Sequence, residues 1–259
     1  MSFIKCNGHI IHYNYFDNKS DQTFLFINSL GTDFRIWDDV AKILVSHGNI
    51  LLYDKRGHGL SDVVENTRSL NDFADDAIAL LDSLFIKECV LVGVSVGGMI
   101  AQIMADRIPQ RIKNVVFCDT RHKIGNEQTW NERIAAVKEK GIAGVSDSIL
   151  QRWFAEKFKT EQADKYKGYK NMLERSPVLG YIKTCEAIRE ADLAMTAKKI
   201  KISSLCIVGS EDKSTPPADV KDLADLIEGC KYKVIDGSGH IPSVDNPEVL
   251  SNMIIDFLK

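Results

Sequence analysis

The sequence predicts an α/β fold: a mostly parallel, doubly wound sheet interrupted by an inserted block of helices. Three observations predict it. Short apolar, β-branched runs alternate with helical patterns along most of the chain. From Thr23 onward these runs are nearly continuous in Val, Ile, Leu and Phe, as expected of parallel strands covered on both faces. Between Thr120 and Lys201, about eighty residues carry helical pattern and no convincing strand.

Strands are expected at residues 10–16, 23–27, 50–53, 89–92, 115–118, 205–208 and 232–235. Asn7-Gly8 ahead of the first marks an N-terminal hairpin. Helices are expected at 35–46, 70–84, 96–107, 218–227 and 247–258. Pro109 stops the third; in the last, Asn246 is the expected cap and Pro247 occupies the first turn, where its missing N–H leaves nothing unsatisfied. Within the insertion, Thr129 and Glu132 read as a capping box ahead of an apolar run at 133–137, with further helices over 145–158, 164–176 and 181–194. The expected organisation is thus a core of residues 1–120 and 201–259 with a helical cap at 121–200. Such a cap would cover the carboxyl ends of the strands, where open α/β sheets bind ligands.

Composition sets the bounds. At 259 residues, 44% hydrophobic and 27% charged, the chain suits one large globular α/β domain with an inserted lobe. A net charge of −3 offers no basic footprint for nucleic acid. No apolar run approaches the ~20 residues of a membrane span. The first residues lack the apolar core of a secretion signal, so a cytoplasmic protein is expected. The six cysteines show no Cys-x-x-Cys pair and no zinc spacing, so reduced thiols and no metal are expected. Oligomeric state is left unspecified.

The chemistry centres on the run from Cys89 to Ala101, in which an apolar strand drives into Gly93-Val94-Ser95-Val96-Gly97 and then a helix. Gly-x-Ser-x-Gly arises by chance in such a composition with odds of about one in thirteen, so its strand–turn–helix context carries the weight. A serine hydroxyl needs a base to take its proton, and the base needs a carboxylate to fix its tautomer. Both occur in loops after later strands, Asp212 in Gly209-Ser210-Glu211-Asp212 and His240 in Gly237-Ser238-Gly239-His240. They complete the order Ser, acid, His. Glu211 and Asp119 compete for the acid, and His122 is the rival base. His58 is expected to play a structural part in the turn after its strand. A developing oxyanion needs two donors, which we assign to the backbone N–H groups of Val96 and of Leu30, in the loop after the 23–27 strand.

With these residues in place, the chain resembles the α/β-hydrolase superfamily over nearly its whole length. Within it, the chain is similar to the 3-oxoadipate enol-lactonases. The narrower likeness rests on Asn28-Ser29-Leu30-Gly31-Thr32-Asp33 and on Tyr53-Asp54-Lys55-Arg56-Gly57-His58-Gly59-Leu60-Ser61. In the cap it rests on Lys123-Ile124-Gly125, Trp130-x-x-Arg133, Arg152-Trp153-Phe154 and the segment from Cys185 to Leu193. Val96 stands where such enzymes often carry Met; Arg121-His122 and Ile241-Pro242-Ser243 also depart from the pattern. The resemblance implies a hydrolase that opens the ring ester of a small carboxylated lactone without a cofactor, a step of the β-ketoadipate pathway of aromatic degradation. The substrate carboxylate invites a cation from the cap. Arg133, one turn from Trp130 on the same helix face, is the candidate, and Trp153 is expected over the acyl pocket. The alternatives are a general carboxylesterase, a C–C bond hydrolase of the same superfamily, or a non-catalytic receptor on the same fold.

Overall fold

A computed structural model describes residues 2–259. Its strands are β1 (Ser2–Cys6), β2 (His9–Phe16), β3 (Thr23–Ile27), β4 (Asn49–Tyr53), β5 (Cys89–Val94), β6 (Ile112–Cys118), β7 (Ser204–Gly209) and β8 (Lys231–Ile235). They form one sheet in the order β1-β2-β4-β3-β5-β6-β7-β8. β1 and β2 form an antiparallel hairpin, and β2 pairs antiparallel with β4; every later pairing is parallel. The hairpin turns at Asn7 and Gly8, both at positive φ, as a tight two-residue connection requires. Its first strand was absent from the expected elements because Ser-Phe-Ile-Lys-Cys is short and mostly exposed.

The central strands β3, β4, β5 and β7 are buried along their whole length, which is why their sequences run almost without polar residues. β8 lies at the sheet edge and alternates Lys, Tyr, Lys and Val with mostly exposed side chains. Helices α1 (Asp38–Leu44), α2 (Leu70–Ser83) and α3 (Val96–Arg107) follow β3, β4 and β5. The expected 35–46 helix is split: Phe34–Trp37 is a 3₁₀ turn capped by Asp33, and only then does α1 begin. Consecutive Ile36 and Trp37 are both buried, with Trp37 5.0 Å from Phe26 between ring centroids.

Between β6 and β7 come α4 (Glu127–Lys140), α5 (Ser146–Trp153), α6 (Glu156–Glu161), α7 (Ala163–Glu174), α8 (Val178–Arg189) and α9 (Ala194–Lys199). The capping box differs from the expected one. Asn126 accepts from the Thr129 N–H at 2.9 Å and Thr129 Oγ1 accepts from the Asn126 N–H at 3.1 Å, while Glu132 instead takes Gln128. Asn126 is the better cap, so the helix starts one turn earlier. The expected 145–158 helix breaks after Trp153, because the Trp153 carbonyl accepts from the backbone N–H of His240 at 2.7 Å rather than continuing the helix.

α10 (Pro217–Leu226), α11 (Pro242–Asp245) and α12 (Pro247–Leu258) complete the chain. Pro247 opens α12 as expected, but the Asn246 side chain makes no capping bond. One helical layer pairs α1 with α12; the other runs through α2, α3, α9 and α10. Gly57, after β4, and Gly180, in α8, meet backbone to backbone, and a Cβ on either would overlap the other. That contact seats α8 directly on the loop after β4. No helix among the described residues is long and apolar enough to cross a membrane.

Candidate active site

Ser95 sits in the turn from β5 into α3 at φ 58 and ψ −123, a conformation that costs a non-glycine residue about 1–3 kcal/mol. Four hydrogen bonds hold it. Its N–H donates to Cys118 O at 3.0 Å, and its carbonyl accepts from Thr120 Oγ1 at 2.6 Å and from the N–H groups of Gly98 at 2.9 Å and Met99 at 3.2 Å. The turn is possible only because the flanking residues have no side chains: a Cβ on Gly93 would overlap the Gly97 carbonyl, and one on Gly97 would overlap Ile27 O at the end of β3. Gly97→Ala should therefore destabilise the fold by about 1–3 kcal/mol through overpacking against backbone. It should also displace the loop that follows β3. Thermal unfolding and kcat measured together check this; an unchanged Tm with unchanged kcat would refute the account.

His240 follows β8, and its Nδ1 donates to Asp212 Oδ2 at 2.8 Å, which leaves Nε2 as the ring's other nitrogen. Asp212 ends a tight loop after β7, where its Oδ1 accepts from the N–H groups of Ser214 at 2.7 Å and Thr215 at 3.1 Å. Its Oδ2 also takes the Thr215 hydroxyl at 2.7 Å. Burial alone would raise the Asp212 carboxyl, but the His240 charge and the bonds from His240, Thr215 and Ser214 outweigh it and hold the carboxyl below its usual range. The contribution of Thr215 was not anticipated, although an Asp followed by Ser and Thr at the second and third positions is the signature of an Asx turn. Glu211, the neighbouring carboxylate, is exposed. Among the described residues no hydrogen bond joins the Ser95 hydroxyl to His240, yet both line one cavity. His122, the rival base, does not line it; burial and the neighbouring Arg121 charge lower its pKa.

The loop after β3 is braced from behind. Lys55, fully buried, donates from Nζ to Ser29 O at 2.5 Å, and His58 Nε2 accepts from the Gly31 N–H at 3.0 Å while Nδ1 donates to Arg56 O at 3.1 Å. Burial, with the Lys55 charge beside it, pushes the His58 pKa well down, so the ring is neutral, as its acceptor role at Nε2 requires. The Leu30 N–H between these two braced residues has no partner among the described residues. Val96 opens α3, so its N–H is one of the free amides of a helix N-terminus.

The cavity holds about 180 Å³, well under the roughly 300–1,000 Å³ of drug-sized sites. Ser29, Leu30, Ser95, Ser214 and His240 line it from the sheet side; Ile124, Trp130, Arg133, Ile149, Arg152, Trp153 and Tyr181 line it from the insertion between β6 and β7. Arg133 Nη1 donates to Tyr181 Oη at 3.2 Å, which orients the guanidinium. Trp130 Nε1 donates to Ile124 O at 2.7 Å, so its ring is fixed as well. Arg133 and Trp153 thus reach the same space as Ser95 and His240. The sequence reading missed several lining groups, among them Tyr181, whose distance from Arg133 along the chain hides the contact, and Arg152, which enters there only as part of a motif.

A family model described as the alpha/beta hydrolase fold matches residues 22–247 of this chain. The chain is similar to the proteins called 3-oxoadipate enol-lactonase 2 and 1 from Acinetobacter baylyi. It is 30% identical to the first, covering 96% of this chain and 93% of that one. It is 33% identical to the second, over 91% and 88%. Among solved structures, the enol-lactonase from Burkholderia xenovorans LB400 superposes with a TM-score of 0.96 at 30% identity, covering 99% of both chains.

Proposed function

Because the chain belongs to the α/β-hydrolase fold family, we propose that it is a serine hydrolase that opens the ring ester of 3-oxoadipate enol-lactone to give 3-oxoadipate. The observation that carries the reading is one small cavity bounded by Ser95 and His240 on one side and by Arg133 and Arg152 on the other, with Asp212 bonded behind His240. The proposed division is a hydrolase core of residues 1–120 and 201–259 and a cap of residues 121–200 that supplies the substrate-recognising groups.

His240 takes the Ser95 proton as Oγ attacks the lactone carbonyl, and the N–H groups of Leu30 and Val96 receive the oxyanion. Collapse of the tetrahedral intermediate breaks the ring C–O bond and expels an enolate that stays tethered to the acyl group. The imidazolium of His240 protonates it. Tautomerisation to the ketone then removes the nucleophile that could re-close the ring. Water, deprotonated by His240, attacks the acyl-enzyme, and Ser95 leaves with the returned proton. The free carboxylate of the substrate pairs with Arg133, and Trp153 packs over the acyl chain.

Loss of the enol-lactone ultraviolet absorbance, followed beside a panel of aryl esters, tests this reading. The lactone should turn over fastest, and Arg133→Ala should raise its KM by about 10–100-fold, the worth of one charge-assisted hydrogen bond. Ester turnover with an inert lactone would replace the proposal by a general carboxylesterase. Turnover of neither would leave the C–C bond hydrolase and the receptor readings.

A further inference from the structure

Asp119 lies directly after β6, at a φ of 45, fully buried at 0% exposure. Its backbone N–H donates to Ile207 O at 2.9 Å, and its Oδ1 accepts from the Gly209 N–H at 2.8 Å, so it is clamped to the end of β7. Its other oxygen, Oδ2, is buried without a hydrogen-bond partner. Side-chain atoms of Asp119, Asp212 and His240 lie within 4.8 Å of one another. Two buried carboxyl groups at this separation do not both ionise. The donors decide which keeps the proton. Asp212 receives two backbone N–H groups, the Thr215 hydroxyl and the His240 ring, whereas Asp119 receives only the Gly209 N–H.

We propose that Asp119 stays a neutral carboxylic acid and donates its O–H to Asp212, acting as a positioning residue that holds Asp212 ionised and aimed at His240. The inference rests on the reading of Ser95, His240 and Asp212 as the catalytic group. The titratable groups facing Asp119 are Asp212 and His240 from the loops after β7 and β8, Asp245 from α11, Tyr232 from β8 and its neighbour Cys118. The carboxylates among them oppose a second negative charge. Burial, then the Asp212 charge, push the Asp119 carboxyl well above its usual range, only partly offset by the Gly209 N–H. Asp245 is itself pushed by burial to about 6, against the bonds it accepts from Ser238 and Gly239. A hydrogen bond from a neutral acid stabilises the Asp212 carboxylate without adding a charge that would compete for the imidazolium.

Asp119→Asn keeps both a donor and an acceptor in the same shape, whereas Asp119→Leu keeps neither. The full-length protein at neutral pH should show, by infrared spectroscopy, a protonated-carboxyl C=O stretch that shifts on carbon-13 labelling of aspartate. That band should vanish in Asp119→Asn and persist in Ser95→Ala. Asp119→Asn should keep kcat/KM within about threefold of wild type, with an unmoved acid limb of the pH profile. Asp119→Leu should lower kcat about tenfold or more with little change in KM. Absence of the band, or an acid limb displaced by about one pH unit in Asp119→Asn, would overturn the proposal, because an ionised Asp119 would then be a charge partner of His240. Failure of the underlying reading looks different: Ser95→Ala would retain full activity, or Asp212→Asn would stay active while Asp119→Asn did not.

Discussion

Ser95→Ala is expected to lower kcat for lactone and ester hydrolysis by about 10⁴-fold or more while leaving the protein folded. The size follows from the chemistry. On the proposed mechanism no acyl-enzyme forms without Oγ, and what remains is water attack assisted by the proposed oxyanion donors, the Leu30 and Val96 amides, and by binding. The fold should tolerate the change because the contacts that hold Ser95 are made by its backbone, to Cys118, Thr120, Gly98 and Met99. Alanine can make all of them, and no buried partner is left without its bond, so unfolding stability should stay within about 0.5 kcal/mol of wild type. Steady-state kinetics, thermal unfolding and mass spectrometry of a trapped acyl adduct check the three parts. A variant within about tenfold of wild-type turnover would remove Ser95 from the mechanism.

Asp212→Asn is expected to lower kcat by about 10³–10⁴-fold, because an amide facing His240 Nδ1 favours the wrong tautomer and no longer stabilises the imidazolium. Stability should carry a pH signature as well. The Asp212 carboxyl is held below its usual range, burial being outweighed by the His240 charge and the bonds it accepts. A depressed carboxyl contributes stability that is fully present above the unfolded-chain pKa and is lost as pH falls through the folded value. The Tm gap between wild type and variant should therefore be constant near neutrality and narrow only below the ordinary carboxylate range. A gap that widens as pH falls would contradict this assignment.

Much of this arrangement was legible because it depends on local sequence. The elbow needs Gly93 and Gly97 for steric reasons that any reader of the strand–turn–helix run can apply. The expected acid follows β7, a fully buried strand whose composition marks it, whereas the expected base follows the exposed edge strand β8 and is picked out by the order Ser, acid, His. What escaped depends on groups distant along the chain. The break after Trp153 is imposed by the His240 N–H, and no local signal in Trp-Phe-Ala announces it. Tyr181 reaches Arg133 only through the packing of α8 on α4. Asp119 was weighed as a rival acid, whereas the structure places it beside Asp212 and leaves the bond to His240 with Asp212. Register between β6 and β7, where Cys118 pairs with Ile207, creates that neighbourhood. Spacing along the chain carries no trace of it.

The insertion of α4 to α9 between β6 and β7 also sets a timetable. In a chain made from its N-terminus, the nucleophile elbow, the loop with Leu30 and the whole helical block emerge from the ribosome before the loops of Asp212 and His240. On the proposed assignment, the nascent protein would hold the nucleophile and the cap side of the pocket with no base to activate them. Reactivity would arrive only when β7 and β8 dock on the sheet and the His240 amide finds the Trp153 carbonyl. Misdocking of these last strands would then yield a chemically silent molecule, so hydrolysis itself would certify that assembly has reached its final step.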